Sequence, residues 1–534
     1  FYSSWLKVQR SAFQRAMKNR TAFCLTLLSA LSSALRAVVA IPADPHWFEQ
    51  YVDHFSTNAS SFKQRYYQQT DYFAGPGSPI FVVMGGEGGI PPEVGFFYPW
   101  VVNDLAKMFH ALVLQPEHRF YGASLPFGAH SFAPDSLQVM NTQQALADAA
   151  HFIRVKQAEF NCTERGTKSY CPVHVIGGSY PGFLAAMMRL RYPAVVDSAH
   201  AASAPLLFYA QQVDQYAYYT RVTESAKRSL AGCPEAVRRA FDAMEAYMSN
   251  ASVQEVSRRF SLCVPLPASR AEDKGKLADD LGFLAMQTFA NLNMANYPPD
   301  NTTGLHLACQ RFAAAAEQGS EALLDAMRTL LLTQTQVAVL GGRGALVTEA
   351  RYRGAPCFDL GRQRPAGGSA TARCGDWSGC GTGRDGEMWD YQTCTFEVEH
   401  IGFGTPSQMF PARPWTYEWM TEHCGRRFGV APQPRALADL WGFDLENLRS
   451  QTSRIVFTNG LNDGWSVGSV LESPAPEKDL IAINLPNGAH HSELSHRDGS
   501  AIDTDDVKEA KLRITQLLRQ WLQESRTNSE AIHV

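Results

Sequence analysis

The sequence predicts an α/β protein whose mostly parallel sheet is split by an inserted, mainly helical domain. Three observations carry this reading. Between about 78 and 205, the short apolar, β-rich runs 79–84, 111–114 and 173–176 alternate with longer amphipathic stretches such as 142–158, a βαβ rhythm that implies a sheet covered on both faces. From 206 to 450 the texture turns helical, with Leu323, Leu324, Met327, Leu330 and Leu331 at helical spacing. Strand texture then returns at 454–458 and 480–484. The organisation read from this is a leader over 1–40, a first sheet portion over 41–205, a helical insertion over 206–450 and a second sheet portion over 451–534.

The first segment stands apart from the fold. Met17-Lys18-Asn19-Arg20 is a short basic opening before the apolar stretch 22–35, and Val38-Val39-Ala40 supplies small residues for a cut. This is the pattern of a secretory signal peptide, with residues 1–16 an upstream extension and the mature chain starting near Ile41. The apolar run is too short and too interrupted by Ser32, Ser33 and Arg36 to span a bilayer. Ten cysteines follow the leader: Cys162, Cys171, Cys233, Cys263, Cys309, Cys357, Cys374, Cys380, Cys394 and Cys424. Their even number in an exported chain predicts up to five disulfides, with close pairs favoured, and the absence of any CxxC argues against zinc. Glycosylation acceptor patterns at Asn58, Asn161, Asn250 and Asn301 fit the same compartment.

Composition narrows the function. The 534 residues exceed any peptide hormone or lone binding module, and 45% hydrophobic against 19% charged residues supplies a large core. With 48 basic and 52 acidic residues the charges nearly cancel, so neither a nucleic-acid nor a membrane-binding footprint is present. No cofactor or metal is called for.

The chemistry concentrates where the third strand ends. Val175-Ile176-Gly177-Gly178-Ser179-Tyr180-Pro181-Gly182 runs from strand to helix, and a serine among small residues at such a turn is the form of a nucleophile elbow. The common pattern is G-x-S-x-G, whereas Pro181 stands here one residue before Gly182, and a proline suits the first turn of a helix. The α/β-hydrolase chain order is serine, acid, histidine. Asp463 follows the strand 454–458, and His490 and His491 follow the strand 480–484, so both expected positions are filled. Gly85-Gly86-Glu87-Gly88 follows the first strand, where such hydrolases place an oxyanion donor. No Walker lysine follows it, which argues against a phosphate loop. The middle of the chain adds a glycine-rich loop over 361–388, with Cys374 and Cys380 available to stitch it. The last element is a helix opened by Thr504, Asp505 and Asp506, with Val507, Ile514, Leu517, Leu518 and Trp521 on one face.

Ordered segments from about 50 to 500 resemble a family of serine peptidases that contains lysosomal Pro-Xaa carboxypeptidase, dipeptidyl peptidase II and thymus-specific serine protease. They include Val52-Asp53-His54-Phe55, Phe62-Lys63-Gln64-Arg65-Tyr66, Glu117-His118-Arg119-Phe120-Tyr121-Gly122, Gln144-Ala145-Leu146-Ala147-Asp148, Ala202-Ser203-Ala204-Pro205, Gln392-Thr393-Cys394-Thr395, Asn459-Gly460 with Asp463 and Trp465, and Gly488-Ala489-His490-His491. The resemblance implies an α/β-hydrolase with a helical cap, Ser179, Asp463 and His490 as the triad, and cleavage after proline. It departs at Pro181, Gly464 and Ser495, where the family usually has glycine, proline and arginine. The oxyanion donors are expected from the Tyr180 backbone and the Gly85–Gly86 loop, and the proline pocket from Phe183 and Trp465. The expected partner is a peptide with proline next to the cut bond, and a homodimer is compatible with this. Carboxypeptidase action is favoured over release of an N-terminal Xaa-Pro dipeptide. A lipase, an esterase or a catalytically silent binding protein on the same fold are the remaining alternatives.

Overall fold

A computed structural model describes residues 41–57, 59–262, 273–337, 351–352, 355–356 and 383–527. The expected signal peptide, Asn58, Cys263, Cys357, Cys374, Cys380 and most of the glycine-rich loop fall outside the described residues, while the last residues assigned to that loop, from Gly383, open a helix instead.

Eight strands form one sheet: β1 (His46–Tyr51), β2 (Ser61–Gln69), β3 (Ile80–Val83), β4 (Leu112–Pro116), β5 (Val173–Gly178), β6 (Ser198–Ala202), β7 (Ile455–Gly460) and β8 (Leu480–Leu485). Their spatial order is β1-β2-β4-β3-β5-β6-β7-β8. From β4 to β8 every pairing is parallel, and β2 joins antiparallel to both β1 and β4. The five strands expected from apolar runs are β3, β4, β5, β7 and β8. The others, β1, β2 and β6, carry few consecutive large apolar residues.

Period-two alternation distributes β3 between two cores. Ile80 and Val82 face Phe152 and Ile153 of α1 (Thr142–Glu159) and Leu184 and Met187 of α2 (Tyr180–Arg191). Phe81 and Val83 face Trp100 and the final helix. Between β6 and β7 the chain leaves the sheet for α3 (Ala217–Ser229), α4 (Cys233–Asn250), α5 (Asp273–Met294), α6 (Gly304–Gln318), α7 (Ser320–Val337), α8 (Gly383–Thr393) and α9 (Tyr417–Phe428). Helices α3 to α7 enclose a separate apolar core around Val237, Phe241, Phe289, Phe312 and Met327. The last helix, α10 (Asp505–Thr527), buries Val507, Ile514, Leu517, Leu518 and Trp521, the face its periodicity predicts.

Three disulfides lie among the described residues: Cys162–Cys171, Cys233–Cys309 and Cys394–Cys424. The first is a close pair, as expected. The second passes over Cys263 to tie α4 to α6, a pairing set by helix packing and not by sequence spacing. Several of the sequence motifs prove to be scaffold. Arg119 donates through Nε and Nη2 to the Asp148 carboxylate at 2.7 and 2.5 Å, and His54 Nε2 stands 2.8 Å from the same group. Glu117 accepts from Arg65, Ser124 and the Ile90 and Ala123 amides. Both carboxylates are buried and satisfied, which makes these pairs costly to break from one side only.

Candidate active site

The C-terminal ends of β5 to β8 lie side by side, and each releases a segment onto the same edge. At the end of β5, Ser179 takes φ +66° and ψ −135° before α2 begins at Tyr180. A non-glycine residue held there costs roughly 1–3 kcal/mol, and tight surroundings enforce it. A β-carbon on Gly177 would stand 2.0 Å from the Pro181 carbonyl oxygen, and one on Gly178 would stand 2.7 Å from both the Tyr98 hydroxyl and the His491 ring. Only glycine fits at either place. The serine is left half-buried at the positive end of a helix whose first N–H groups have no intrahelical acceptor.

Asp463 follows β7 and is fully buried, and His490 follows β8 and is half-buried. His490 Nδ1 stands 2.5 Å from Asp463 Oδ2, while Oδ1 accepts the Trp465 N–H at 3.1 Å. Pairing with a carboxylate makes Nδ1 the donor and leaves Nε2 as the accepting nitrogen. The neighbouring His491 packs its ring edge-on to Tyr98 at 5.7 Å, and its N–H donates to Ser203 Oγ at 3.0 Å. Burial holds the His491 imidazole well below its ordinary range, so it stays neutral. Tyr98, absent from the sequence reading, accepts the Gly178 N–H at 3.0 Å and braces the turn; a lone tyrosine in an aromatic run carries no signal of that role.

The glycine loop after β3 reaches this edge. A β-carbon on Gly85 would stand 2.4 Å from the Pro116 carbonyl oxygen, and one on Gly86 would stand 2.5 Å from Pro181 Cγ. The loop therefore runs against the first turn of α2 at Pro181. The Tyr180 side chain points into the interior, where its hydroxyl accepts from Gln392 Nε2 at 3.0 Å and lies 3.1 Å from His118 Nε2. Gln392 in turn accepts from the Tyr121 hydroxyl at 2.6 Å, docking α8 onto the elbow. Burial lowers His118 to about 4.

The two residues expected to form a proline pocket differ. Phe183 has no exposed surface and packs against Tyr209 and Phe443, which places it in the core behind the site, because the inner face of α2 turns toward the sheet. Trp465 is 5% exposed and packs edge-on against Phe208 and Tyr218, at the junction of the sheet and the helical excursion. Glu397, also unforeseen, is fully buried, accepts from the Thr142 hydroxyl, and is raised by burial to about 7. Asp390, Cys394 and His423 lie close enough to suggest a metal site. Cys394 is committed to its disulfide with Cys424, however, and Asp390 pairs with His423 at 2.9 Å and Arg427 at 2.8 Å, so the cluster is a structural ion pair.

Sheet order and strand connectivity define an α/β-hydrolase fold. The chain belongs to the serine carboxypeptidase S28 family, whose model matches residues 50–514. It is thus a serine-type peptidase. Lysosomal Pro-X carboxypeptidase of Bos taurus is 30% identical over 503 residues, covering 91% of this chain and 89% of the relative. The Homo sapiens protein of the same name is 29% identical, covering 95% and 98%. Thymus-specific serine protease of Mus musculus is 27% identical, covering 90% and 87%. Among solved structures, proline iminopeptidase of Mycobacterium smegmatis aligns over 91% of this chain and 100% of its own at 11% identity, with a TM-score of 0.35. Among the described residues no helix is long and apolar enough to cross a membrane.

Proposed function

We propose that the protein is a Pro-Xaa carboxypeptidase of the secretory pathway, secreted or held in a lysosome or vacuole, acting through Ser179, His490 and Asp463. The observation that carries the reading is the 2.5 Å pairing of His490 with Asp463 on the edge that presents Ser179 in a strained strand-to-helix turn. His490 Nε2 takes the Ser179 proton as Oγ attacks the carbonyl of a proline residue, and Asp463 steadies the imidazolium. The Tyr180 amide and an amide of the Gly85–Gly86 loop hold the oxyanion. His490 then protonates the departing C-terminal amino acid, and water releases the acyl-enzyme. Trp465 contributes to the proline pocket. The helical excursion, about residues 206–450, acts as the cap that closes the cleft. Asn161, Asn250 and Asn301 are exposed, as glycan attachment requires.

A second reading, release of an N-terminal Xaa-Pro dipeptide, uses the same triad and differs in the peptide terminus recognised, an ammonium in place of a carboxylate. An N-blocked peptide ending in Pro-Phe, compared with a free-amine Xaa-Pro reporter, separates the two. Hydrolysis of the blocked peptide supports carboxypeptidase action; hydrolysis of the reporter alone replaces it with the second reading.

A further inference from the structure

We propose that Asn293, at the end of α5, is a positioning residue for the triad, so that the helical excursion holds the acid and histidine loops in register for catalysis. The inference rests on the Ser179–Asp463–His490 reading. Asn293 is fully buried, and its carboxamide spans the residues on either side of Asp463. Its Oδ1 accepts the Gly464 N–H at 2.7 Å, and its Nδ2 donates to the Asn462 carbonyl. The next residue, Met294, accepts the His490 N–H through its carbonyl at 3.2 Å. That carbonyl is available because the last carbonyls of a helix have no intrahelical donor. Two consecutive residues of one helix end therefore grip both loops whose side chains meet at 2.5 Å.

The contact is chemically specific. One end of the carboxamide faces an N–H and the other a carbonyl, so only a group that both accepts and donates completes it. Aspartate would turn an oxygen toward the Asn462 carbonyl, and alanine would leave the buried Gly464 N–H unpaired. The loop side is matched to it. Gly464 has an amide hydrogen to give, which proline would not, and a β-carbon there would meet the Tyr218 ring at 2.8 Å. Helix α3 supports the same loop: Ser225 Oγ donates to the Asn462 carbonyl at 2.8 Å and Arg221 Nη1 to the Leu461 carbonyl at 2.9 Å. The Asp463 loop is thereby held from two sides, by these groups of the helical excursion and by its own backbone bonds to the sheet, Asp463 N–H to the Gly460 carbonyl at 3.1 Å and Leu461 N–H to the Leu485 carbonyl at 2.9 Å.

The test uses the full-length enzyme with Asn293→Ala and Asn293→Asp, each normalised to fluorophosphonate-titrated sites, so that unfolded molecules do not count. Arg259→Ala, which removes contacts to Glu321 and Asp325 far from the loops, controls for general loosening of the helical region. Misplacing a catalytic group by about 1 Å can cost on the order of 100-fold. The expected result is a fall of that order in kcat per titrated site for both Asn293 variants, with KM little changed, and loss or displacement of the downfield proton resonance shared by His490 and Asp463. Arg259→Ala should retain the parental kcat. Parental kcat and resonance in the Asn293 variants would overturn the inference while leaving the triad intact, and so would an equal fall in Arg259→Ala. A parent enzyme that neither labels nor turns over would overturn the triad reading and this inference with it.

Discussion

Gly86 lies against the ring of Pro181: a β-carbon on the glycine would stand 2.5 Å from Pro181 Cγ. The residue that departs from the usual elbow pattern is thus the one on which the glycine loop rests. Proline at the second position of α2 has no N–H to lose from a hydrogen bond, and its rigid ring gives that loop a fixed floor.

Gly86→Ala should therefore lift the loop and withdraw an oxyanion donor, slowing fluorophosphonate acylation by on the order of 100- to 1000-fold. Adding Pro181→Gly should restore part of the rate by removing the obstacle. Acylation of the single variant at the parental rate would place the donor elsewhere.

Ser179→Ala and His490→Ala should each lower kcat by on the order of 10⁴- to 10⁶-fold, whereas His491→Ala should retain far more activity. The second histidine keeps its ring against Tyr98 and Gly178 and engages Ser203 through its backbone only. Steady-state kinetics of the three variants decides the point, and an equal loss at His491 alone would transfer the base to it.

Burial raises Glu397 to about 7 from an ordinary value of 4.5, so the folded state binds its proton more tightly than the unfolded chain does. Its contribution to stability is complete below about 4.5 and is lost as pH rises through about 7. Buried His118 and His174, lowered to about 4 and about 3, work in the opposite direction: their contribution is present above about 6.5 and falls as the pH drops toward those values. The difference in Tm between the parent and Glu397→Gln isolates the first effect. It should favour the parent more at pH 5 than at pH 7.5, and a difference independent of pH would show that Glu397 does not change protonation in this interval.

Alkylation of the unreduced protein should leave Cys162, Cys171, Cys233, Cys309, Cys394 and Cys424 unmodified, as read by peptide mass spectrometry. Reduction should lower Tm, since a native bridge contributes about 2–5 kcal/mol. Labelling of Cys233 and Cys309 before reduction would contradict the tie between α4 and α6.

Much of this architecture is local and therefore legible in sequence. Strands β3, β5 and β7 are buried on both faces, so each reads as an apolar run, and α10 meets the core along one stripe, so its period shows. The elbow is legible because its requirement, small residues around a serine, is met within a few positions of the chain. Chain order then pointed to Asp463 and His490. What sequence could not show depends on which surfaces meet. Strand β6, Ser198–Ala202, is built of small and polar residues because α2 packs close upon it, a β-carbon on Gly182 falling 2.8 Å from the Ala202 carbonyl oxygen. The burial of Phe183, the pairing of Cys233 with Cys309, the enclosed Glu397 and the grip of Asn293 on the Asp463 loop all arise from contacts between distant segments. Periodicity and motif spacing register how a residue relates to its chain neighbours; a hydrogen bond spanning 171 positions, such as that from Gly464 to Asn293, exists only once the helices have packed onto the sheet.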